Sequence, residues 1–216
     1  MHGYAQDSSV WDTWRGWLGL DHFSHVYPIR FQFDDQCGSV QQHAMELNNI
    51  VNRILRTTGY EEVNIVGQSK GGLDARWYLA SGGADKVANL IMIGTPNAGT
   101  EAAYYDATGC PRGAAKDLLP GSLATRVIDR PENTNYYTIA GNWMPTGACI
   151  WSRDPGNCYI PGEDDGFAAV DSVQSNADYI PLGPSPPSYH LDLLEERDAY
   201  DMALQVLDGK KITDEK

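Results

Sequence analysis

Residues 63–72 read Val-Asn-Ile-Val-Gly-Gln-Ser-Lys-Gly-Gly, an apolar stretch that leads directly into a serine flanked by glycines. A Gly-x-Ser-x-Gly pattern between a buried strand and a helix predicts a sharp turn that exposes the serine hydroxyl above a sheet. The residues before the turn are typical of a buried parallel strand, and Leu73, Trp77 and Ala80 after it recur at helical spacing. The pattern predicts that Ser69 is a nucleophile. The alternative is an ordinary turn in which Ser69 only caps the helix.

Composition limits the number of domains and the class of partner. The chain has 216 residues, of which 42% are hydrophobic, enough for one sizeable core. We predict a single domain over residues 1–209 and a disordered tail over residues 210–216. The net charge of -13 argues against nucleic acid or an anionic membrane surface as a partner. Because no apolar run reaches roughly 18 residues, no transmembrane segment is predicted, and the oligomeric state stays open.

Apolar segments alternate with segments of helical spacing. Strands are predicted around residues 26–33, 63–66, 87–93, 136–141 and 179–182. Ser39 and Gln42 form a capping-box pattern at the start of a helix that ends at Gly59, and a last helix is predicted from Asp192. The alternation indicates an α/β fold in which a mostly parallel sheet carries helices on both faces.

Two other segments stand apart from this alternation. Trp11, Trp14 and Trp17 are spaced by three residues, which predicts one face of a short helix that packs into the core. Residues 97–133 lose the regular pattern and are rich in glycine, alanine and tyrosine. We expect them to form an insertion over the sheet.

A nucleophilic serine needs a base to remove its proton and a carboxylate to orient that base. In an open parallel sheet these partners come from loops at the carboxyl ends of later strands, so the chain order is serine, acid, histidine. His190 is the candidate base because it is the one histidine after Ser69. Asp165 is the candidate acid, since an Asp-Gly pair followed by apolar residues fits a tight turn at a strand end. Asp164 is the alternative acid, because neighbouring side chains point in different directions.

The tetrahedral oxyanion that such a serine produces needs two preorganised N–H donors. The backbone N–H of Lys70 is one candidate, since it follows the nucleophile at a helix N-terminus. The backbone N–H of Tyr4 is the other, because a His2-Gly3 pair precedes it in an early loop. We expect the side chain of Lys70 to be solvated.

Four cysteines, at positions 37, 110, 149 and 158, allow three pairings if all are oxidised. A disulfide between Cys149 and Cys158 is the favoured pairing, because it would close a short loop ahead of Asp165. Four reduced thiols in a cytosolic protein are the alternative. A disulfide would favour a secreted or extracytoplasmic location, and the sequence otherwise leaves the compartment open.

Together these motifs resemble the α/β-hydrolase superfamily, of the lipase and carboxylesterase type, over nearly the whole chain. The matching positions are His2-Gly3, Gly67-Gln68-Ser69-Lys70-Gly71-Gly72, Gly94-Thr95-Pro96-Asn97-Ala98-Gly99-Thr100, Asp165-Gly166 and His190-Leu191-Asp192. The resemblance implies an α/β-hydrolase fold and a serine esterase or lipase that cleaves carboxylic esters through an acyl-serine intermediate. It also implies a small-molecule or lipid ester as substrate and no required organic cofactor.

The last two motifs are similar to those of bacterial true lipases, in which an aspartate after the histidine binds calcium. The resemblance transfers this metal role only to Asp192, where a helix cap explains the residue equally well, and we do not expect bound calcium. Residues 101–133 occupy the position of a lipase lid. Trp11, Tyr104 and Tyr105 are candidates for lining the substrate pocket, although packing onto the scaffold needs the same kind of side chain.

One departure from the family pattern concerns the amino-terminal side of the sheet. In the family the His-Gly pair ends a strand inside the sheet, whereas here it occupies positions 2 and 3. The resemblance therefore predicts that one or more amino-terminal strands are missing from this sequence. Two other functions also stay open: a non-catalytic binding protein with this fold, and an acyltransferase or thioesterase that uses the same triad.

Overall fold

The centre of the molecule is a four-stranded sheet in which all strands are parallel. The computed structural model describes residues 1–106, 108–110, 112–126, 133–143, 149 and 158–209. The strands lie in the order β1-β2-β3-β4, with β1 Val63–Gln68, β2 Val87–Ile93, β3 Asn135–Ile139 and β4 Ile180–Pro181. The predicted α/β fold with a parallel sheet is confirmed.

Helices follow the strands, as the alternation in sequence indicates. Within the described residues the α-helices are α1 Asp12–Leu20, α2 Val40–Thr58, α3 Lys70–Tyr78, α4 Arg112–Asp117, α5 Val170–Val173 and α6 Arg197–Leu207. The predicted capping box at the start of α2 is present, because Ser39 accepts from the Gln42 N–H and Gln42 accepts from the Ser39 N–H. Gly59 ends α2 in the left-handed conformation, with φ 77°.

Strand β2 separates two apolar cores, because successive side chains of a strand point to opposite faces. Leu90 and Met92 pack on one face against buried residues of α2 and α3, such as Leu47 and Tyr78. Ile91 and Ile93 pack on the other face against α1 and α6, through Trp14, Leu18, Tyr200 and Ala203. Helices therefore cover both faces of the sheet, and the predicted core role of the tryptophan segment is confirmed for Trp14.

The predicted strand over residues 26–33 is wrong, because this segment is irregular. Its amides bond to carboxylates instead of a neighbouring strand. The Phe31 N–H donates to Asp35 over 2.6 Å, and the N–H groups of Gln32 and Phe33 donate to Glu46 over 2.6 and 3.0 Å. Pro28 has no N–H to offer a strand partner.

The predicted start of the last helix at Asp192 is also too early. A 3₁₀ turn covers Asp192–Leu194, and the α-helix begins at Arg197.

The insertion over residues 101–133 contains a 3₁₀ turn at Glu101–Tyr105 and helix α4. Positions 107, 111 and 127–132 lie outside the described residues, as does the predicted tail over 210–216, and the role of the insertion as a lid stays a prediction.

The four cysteines form two disulfides. Cys149 and Cys158 form the predicted bridge, with their Cα atoms 5.6 Å apart. Cys37 and Cys110 form a second bridge, which sequence could not select, with a Cα separation of 5.4 Å. The second bridge links the loop before α2 to the insertion.

Among the described residues, no helix has both the length and the apolar character needed to cross a membrane.

Within the described residues β1 lies at the edge of the sheet and faces an apolar groove of about 580 Å³. Trp14, Leu18 and Val51 are among the residues that line the groove. Met1 already occupies its end: the amino group of Met1 donates to the Val66 carbonyl over 2.5 Å, and the Gln68 N–H donates to the Met1 carbonyl over 3.0 Å. This alternation of bonds is typical of a parallel strand pair. A further strand beside β1 stays a prediction.

We expect an apolar extension of about six residues, fused to Met1, to raise the melting temperature by roughly 10 °C. Each new backbone hydrogen bond to β1 contributes about 1 kcal/mol, and apolar side chains would fill the groove. Differential scanning fluorimetry measures the change, with a Gly-Ser extension of equal length as the control. Equal melting temperatures for the two extensions would contradict the prediction.

Candidate active site

Ser69 lies at the junction between β1 and α3 in a strained conformation, with φ 54° and ψ -128°. Such a conformation costs about 1 to 3 kcal/mol for a residue with a side chain and persists only where the surroundings hold it. The Ser69 N–H donates to the carbonyl of Ile93 over 2.8 Å, which ties the turn to the end of β2. The strand-turn-helix context that the sequence predicted is therefore present.

The glycines around Ser69 are needed because backbone segments pass close to them. A Cβ atom at Gly67 would lie 2.7 Å from the backbone nitrogen of Gly72. A Cβ atom at Gly71 would lie 2.5 Å from the carbonyl oxygen of His2. Both distances are shorter than Cβ atoms tolerate, so the start of α3 packs directly against the backbone of the loop that contains His2.

The structure brings Ser69, His190 and Asp165 together in one chain of hydrogen-bonding groups. His190 Nε2 lies 2.9 Å from Ser69 Oγ, and His190 Nδ1 lies 2.7 Å from Asp165 Oδ2. All three residues are at most 3% exposed. The assignment of Nδ1–H as donor to Asp165 leaves Nε2 as the acceptor for the serine hydroxyl. This arrangement can remove a proton from Ser69.

Asp165 is fixed on its other side by backbone donors. Its Oδ1 accepts from the N–H groups of Phe167 and Ala168 over 3.0 and 2.7 Å, and its carbonyl accepts from the His190 N–H over 2.9 Å. The ring of Phe167 packs against the His190 imidazole with centroids 4.8 Å apart. Phe167 is one of the apolar residues after the Asp-Gly pair, and its contact with the histidine was not predicted.

The alternative acid, Asp164, points elsewhere. Its Oδ1 accepts from the Gly166 N–H over 2.7 Å, and its buried Oδ2 has no hydrogen-bond partner among the described residues. Burial raises the pKa of Asp164 to about 6, and the neighbouring Asp165 carboxylate adds to this rise, while the bond from Gly166 opposes it. Of the two candidate acids, Asp165 is the one whose carboxylate contacts His190.

The loop that contains Gly3 and Tyr4 lies over the serine. A Cβ atom at Gly3 would lie 2.7 Å from Ser69 Cβ, and the Gly3 N–H donates to Gln6 over 2.9 Å. Tyr4 follows Gly3 directly and is buried. Its hydroxyl donates to Asp106 over 3.0 Å, and burial raises the pKa of Tyr4 to about 12. The oxyanion roles of the Lys70 and Tyr4 backbone amides stay predictions.

The expectation that the Lys70 side chain is solvated is wrong. Lys70 is 1% exposed, and its Nζ lies 2.5 Å from Asp74 Oδ1. Helical periodicity explains the contact, because residues four apart lie on the same side of a helix. The Lys70-Asp74 spacing was visible in the sequence, but the burial of this pair follows from the packing of α3 against α2.

The three residues predicted to line a substrate pocket lie in different surroundings. Trp11 packs in the core beside α1 and α6 and lines the groove next to β1. Tyr104 is 64% exposed, and Tyr105 is half-buried against the apolar cluster that contains Tyr4 and Phe167. A small apolar cavity beside Tyr4 is lined by Ala102, Ala103, Ala115, Leu118 and Phe167, with Asp106 at its edge. The roles of Trp11, Tyr104 and Tyr105 stay predictions.

Asp192, the candidate calcium ligand, is exposed on the 3₁₀ turn that follows His190. No group of three or more His, Cys, Asp or Glu side chains that could hold a metal ion occurs in the described part of the chain. Calcium prefers six to eight oxygen ligands, of which Asp192 could supply only part, and the relation of Asp192 to calcium stays a prediction.

Solved structures share this fold. A Bacillus licheniformis lipase in its mature form, BlEst2, superposes with a TM-score of 0.70 and 20% identity, over 97% of this chain and 89% of that one. A protein of Listeria innocua superposes with a TM-score of 0.67 and 16% identity, over 100% of this chain and 94% of that one. At these identities the likeness concerns the fold alone.

Sequence relatives include two proteins named triacylglycerol lipase. One from Pseudarthrobacter phenanthrenivorans and one from Burkholderia plantarii are each 32% identical over 113 residues, which is 49% of this chain. The match spans about a third of each relative's length, 34% and 30% respectively. The model of a family described as having the alpha/beta hydrolase fold matches residues 2–124, more than half of the chain. This chain therefore belongs to the α/β-hydrolase fold family.

Proposed function

We propose that this protein is a serine hydrolase that cleaves carboxylic esters. The observation that carries the proposal is the contact of Ser69 Oγ with His190 Nε2, in a histidine whose other nitrogen contacts Asp165. Family membership and the triacylglycerol lipases among the relatives support an ester as the substrate. The substrate is a small-molecule or lipid ester.

In the first half of the reaction, Ser69 Oγ attacks the ester carbonyl carbon while His190 Nε2 takes the hydroxyl proton. Asp165 holds the imidazole in position and stabilises the imidazolium that forms. The backbone N–H groups of Lys70 and Tyr4 donate to the oxyanion. The intermediate then expels the alcohol, which receives the proton from His190, and an acyl-serine remains.

In the second half of the reaction, His190 removes a proton from a water molecule, and the resulting hydroxide attacks the acyl-serine. Collapse of the second tetrahedral intermediate returns the proton to Ser69 Oγ and releases the carboxylic acid. These steps balance in atoms and charge with no organic cofactor.

The two disulfides support a location outside the cytosol. Disulfides persist in oxidising compartments, whereas the cytosol keeps thiols reduced. We propose a secreted or extracytoplasmic protein. Alkylation of the denatured protein, purified from its native host, with and without prior reduction would test this, since thiols that are alkylated without reduction contradict the proposal.

The nucleophile is tested with a fluorophosphonate probe and p-nitrophenyl esters of short and long acyl chains. We expect the wild type to be labelled and to release p-nitrophenol, and Ser69→Ala to lose labelling and roughly 10⁴-fold or more in kcat. Labelling of Ser69→Ala would contradict the assignment of Ser69. Ester binding by the wild type without turnover would favour the non-catalytic alternative, and faster turnover of a thioester than of the matched ester would favour a thioesterase.

The choice of acid is tested by two matched amide substitutions. Asp165→Asn removes the charge that stabilises the imidazolium, so we expect kcat to fall roughly 10³- to 10⁴-fold. Asp164→Asn leaves the His190 contact in place, so we expect kcat to stay within about threefold of the wild type. Steady-state kinetics at pH 8 measure both values. A larger decrease in kcat for Asp164→Asn than for Asp165→Asn would assign the role of the acid to Asp164.

Asp164 is also expected to make stability depend on pH. Because the pKa of Asp164 is raised to about 6 in the folded state, the folded protein holds this proton more tightly than the unfolded chain. The protonated carboxyl of Asp164 therefore stabilises the folded state at low pH, and this stabilisation is lost as pH rises through about 6. Thermal unfolding of Asp164→Asn should show a melting temperature above that of the wild type at pH 8, by a few degrees, and close to it at pH 4. An equal difference at both pH values contradicts this.

A further inference from the structure

A buried cluster of three ionisable side chains includes Lys70, the residue after the proposed nucleophile. Lys70 Nζ lies 2.5 Å from Asp74 Oδ1, and His43 Nδ1 lies 2.8 Å from Asp74 Oδ2. The three residues are 1 to 2% exposed. The reaction proposed above uses none of these side chains. A buried ion pair of this kind is not by itself favourable for stability, because desolvation of the charges offsets their attraction.

The cluster is held from several directions. The second ring nitrogen of His43, Nε2, lies 3.2 Å from the carbonyl oxygen of Asp34, and the Phe31 ring stacks on the imidazole with centroids 3.9 Å apart. Burial alone would raise the pKa of Asp74, but the Lys70 ammonium and the contact with His43 outweigh it and hold the pKa below its usual value. Asp74 is therefore a carboxylate, and its charge pairs with Lys70.

The position of Lys70 connects this cluster to the chemistry. Lys70 is the first residue of α3, and its backbone N–H is a proposed donor to the oxyanion. Its side chain bonds one turn further along the same helix, while His43 ties that turn to α2. The same first turn packs against the loop of the other proposed donor, since Gly71 lies close to the His2 carbonyl. A shift of this turn would move both donors.

We propose that Lys70 is a positioning residue, whose ion pair with Asp74, oriented by His43, fixes the first turn of α3 and aims the oxyanion donors. This inference rests on the proposed ester hydrolysis. A purely structural ion pair would change the melting temperature when it is removed. Removal of a positioning pair also weakens the interaction with the transition state, and this effect is measurable in a variant that remains folded.

The experiment compares Lys70→Met, Asp74→Leu and the double variant Lys70→Met/Asp74→Leu with the wild type. Each single variant leaves one charge buried without its ionic partner, so the melting temperature falls. The double variant removes both charges and leaves only the His43 Nδ1 without its acceptor, so it should lose less stability than either single variant. We measure the melting temperature, kcat and KM for a p-nitrophenyl ester, and the inhibition constant of a boronic acid that forms a tetrahedral adduct with serine.

For the double variant we expect a melting temperature above those of the two single variants. We also expect KM within about twofold, kcat lower by roughly 10- to 100-fold, and weaker boronic acid inhibition by a similar factor. An unchanged kcat, or a lower kcat with unchanged boronic acid affinity, overturns the proposal. If the double variant does not fold, Asp74→Asn takes its place, because it keeps the volume and removes the charge. Its kcat should fall about 10-fold with unchanged KM, and a wild-type kcat overturns the proposal.

The exposed ion pair between Arg197 and Asp201 on α6 provides the matched control, since it has the same spacing of four residues and a 2.8 Å contact. Arg197→Met/Asp201→Leu should leave kcat and the boronic acid affinity unchanged. Fluorophosphonate labelling of the wild type separates the two hypotheses. A wild type that is neither labelled nor active refutes the ester hydrolase, whereas an active wild type with equally active cluster variants refutes only the role of Lys70.

Discussion

The backbone conformation of Ser69 is the constraint on which the rest of the site depends. A positive φ of 54° at a residue with a side chain must be held by its neighbours. Here a bond to Ile93 fixes the turn from the side of the sheet, and close backbone packing at Gly67 and Gly71 fixes it from the side of the helix. The hydroxyl reaches His190 because the turn cannot relax into the first residue of an ordinary helix.

The parallel sheet explains how residues that are about 100 positions apart in sequence meet at this turn. Strands β1, β2 and β3 end at one edge, and the loops after them carry Ser69, Gly94 and Gly141. Gly94 packs close to His190, and Gly141 packs close to Asp165. The acid and the histidine are also joined through the backbone, since the His190 N–H donates to the Asp165 carbonyl. The position of one therefore limits the position of the other.

The sequence predicted the features that depend on local patterns, such as the turn at Ser69, the capping box of α2 and strand β2. It failed where contacts with particular side chains, which a local pattern does not show, decide the structure. Residues 26–33 have the composition of a strand, but carboxylates of Asp35 and Glu46 bind their amides instead. The Lys70 side chain is buried because His43, 27 positions earlier, completes its cluster with Asp74. The contacts of Glu46 and His43 do not follow from residue spacing, since both depend on how α2 lies against its neighbours.

The disulfide between Cys37 and Cys110 closes a covalent ring with a sequence separation of 73 residues. The ring encloses α2, β1, α3 and β2, and with them Ser69 and the Lys70 cluster, whereas Asp165 and His190 lie outside it. A partial opening of the carboxyl-terminal half would separate the histidine from the serine but leave the strained turn inside a closed loop of limited chain entropy. The nucleophile half is thus covalently confined, whereas neither disulfide joins it to the half that carries Asp165 and His190.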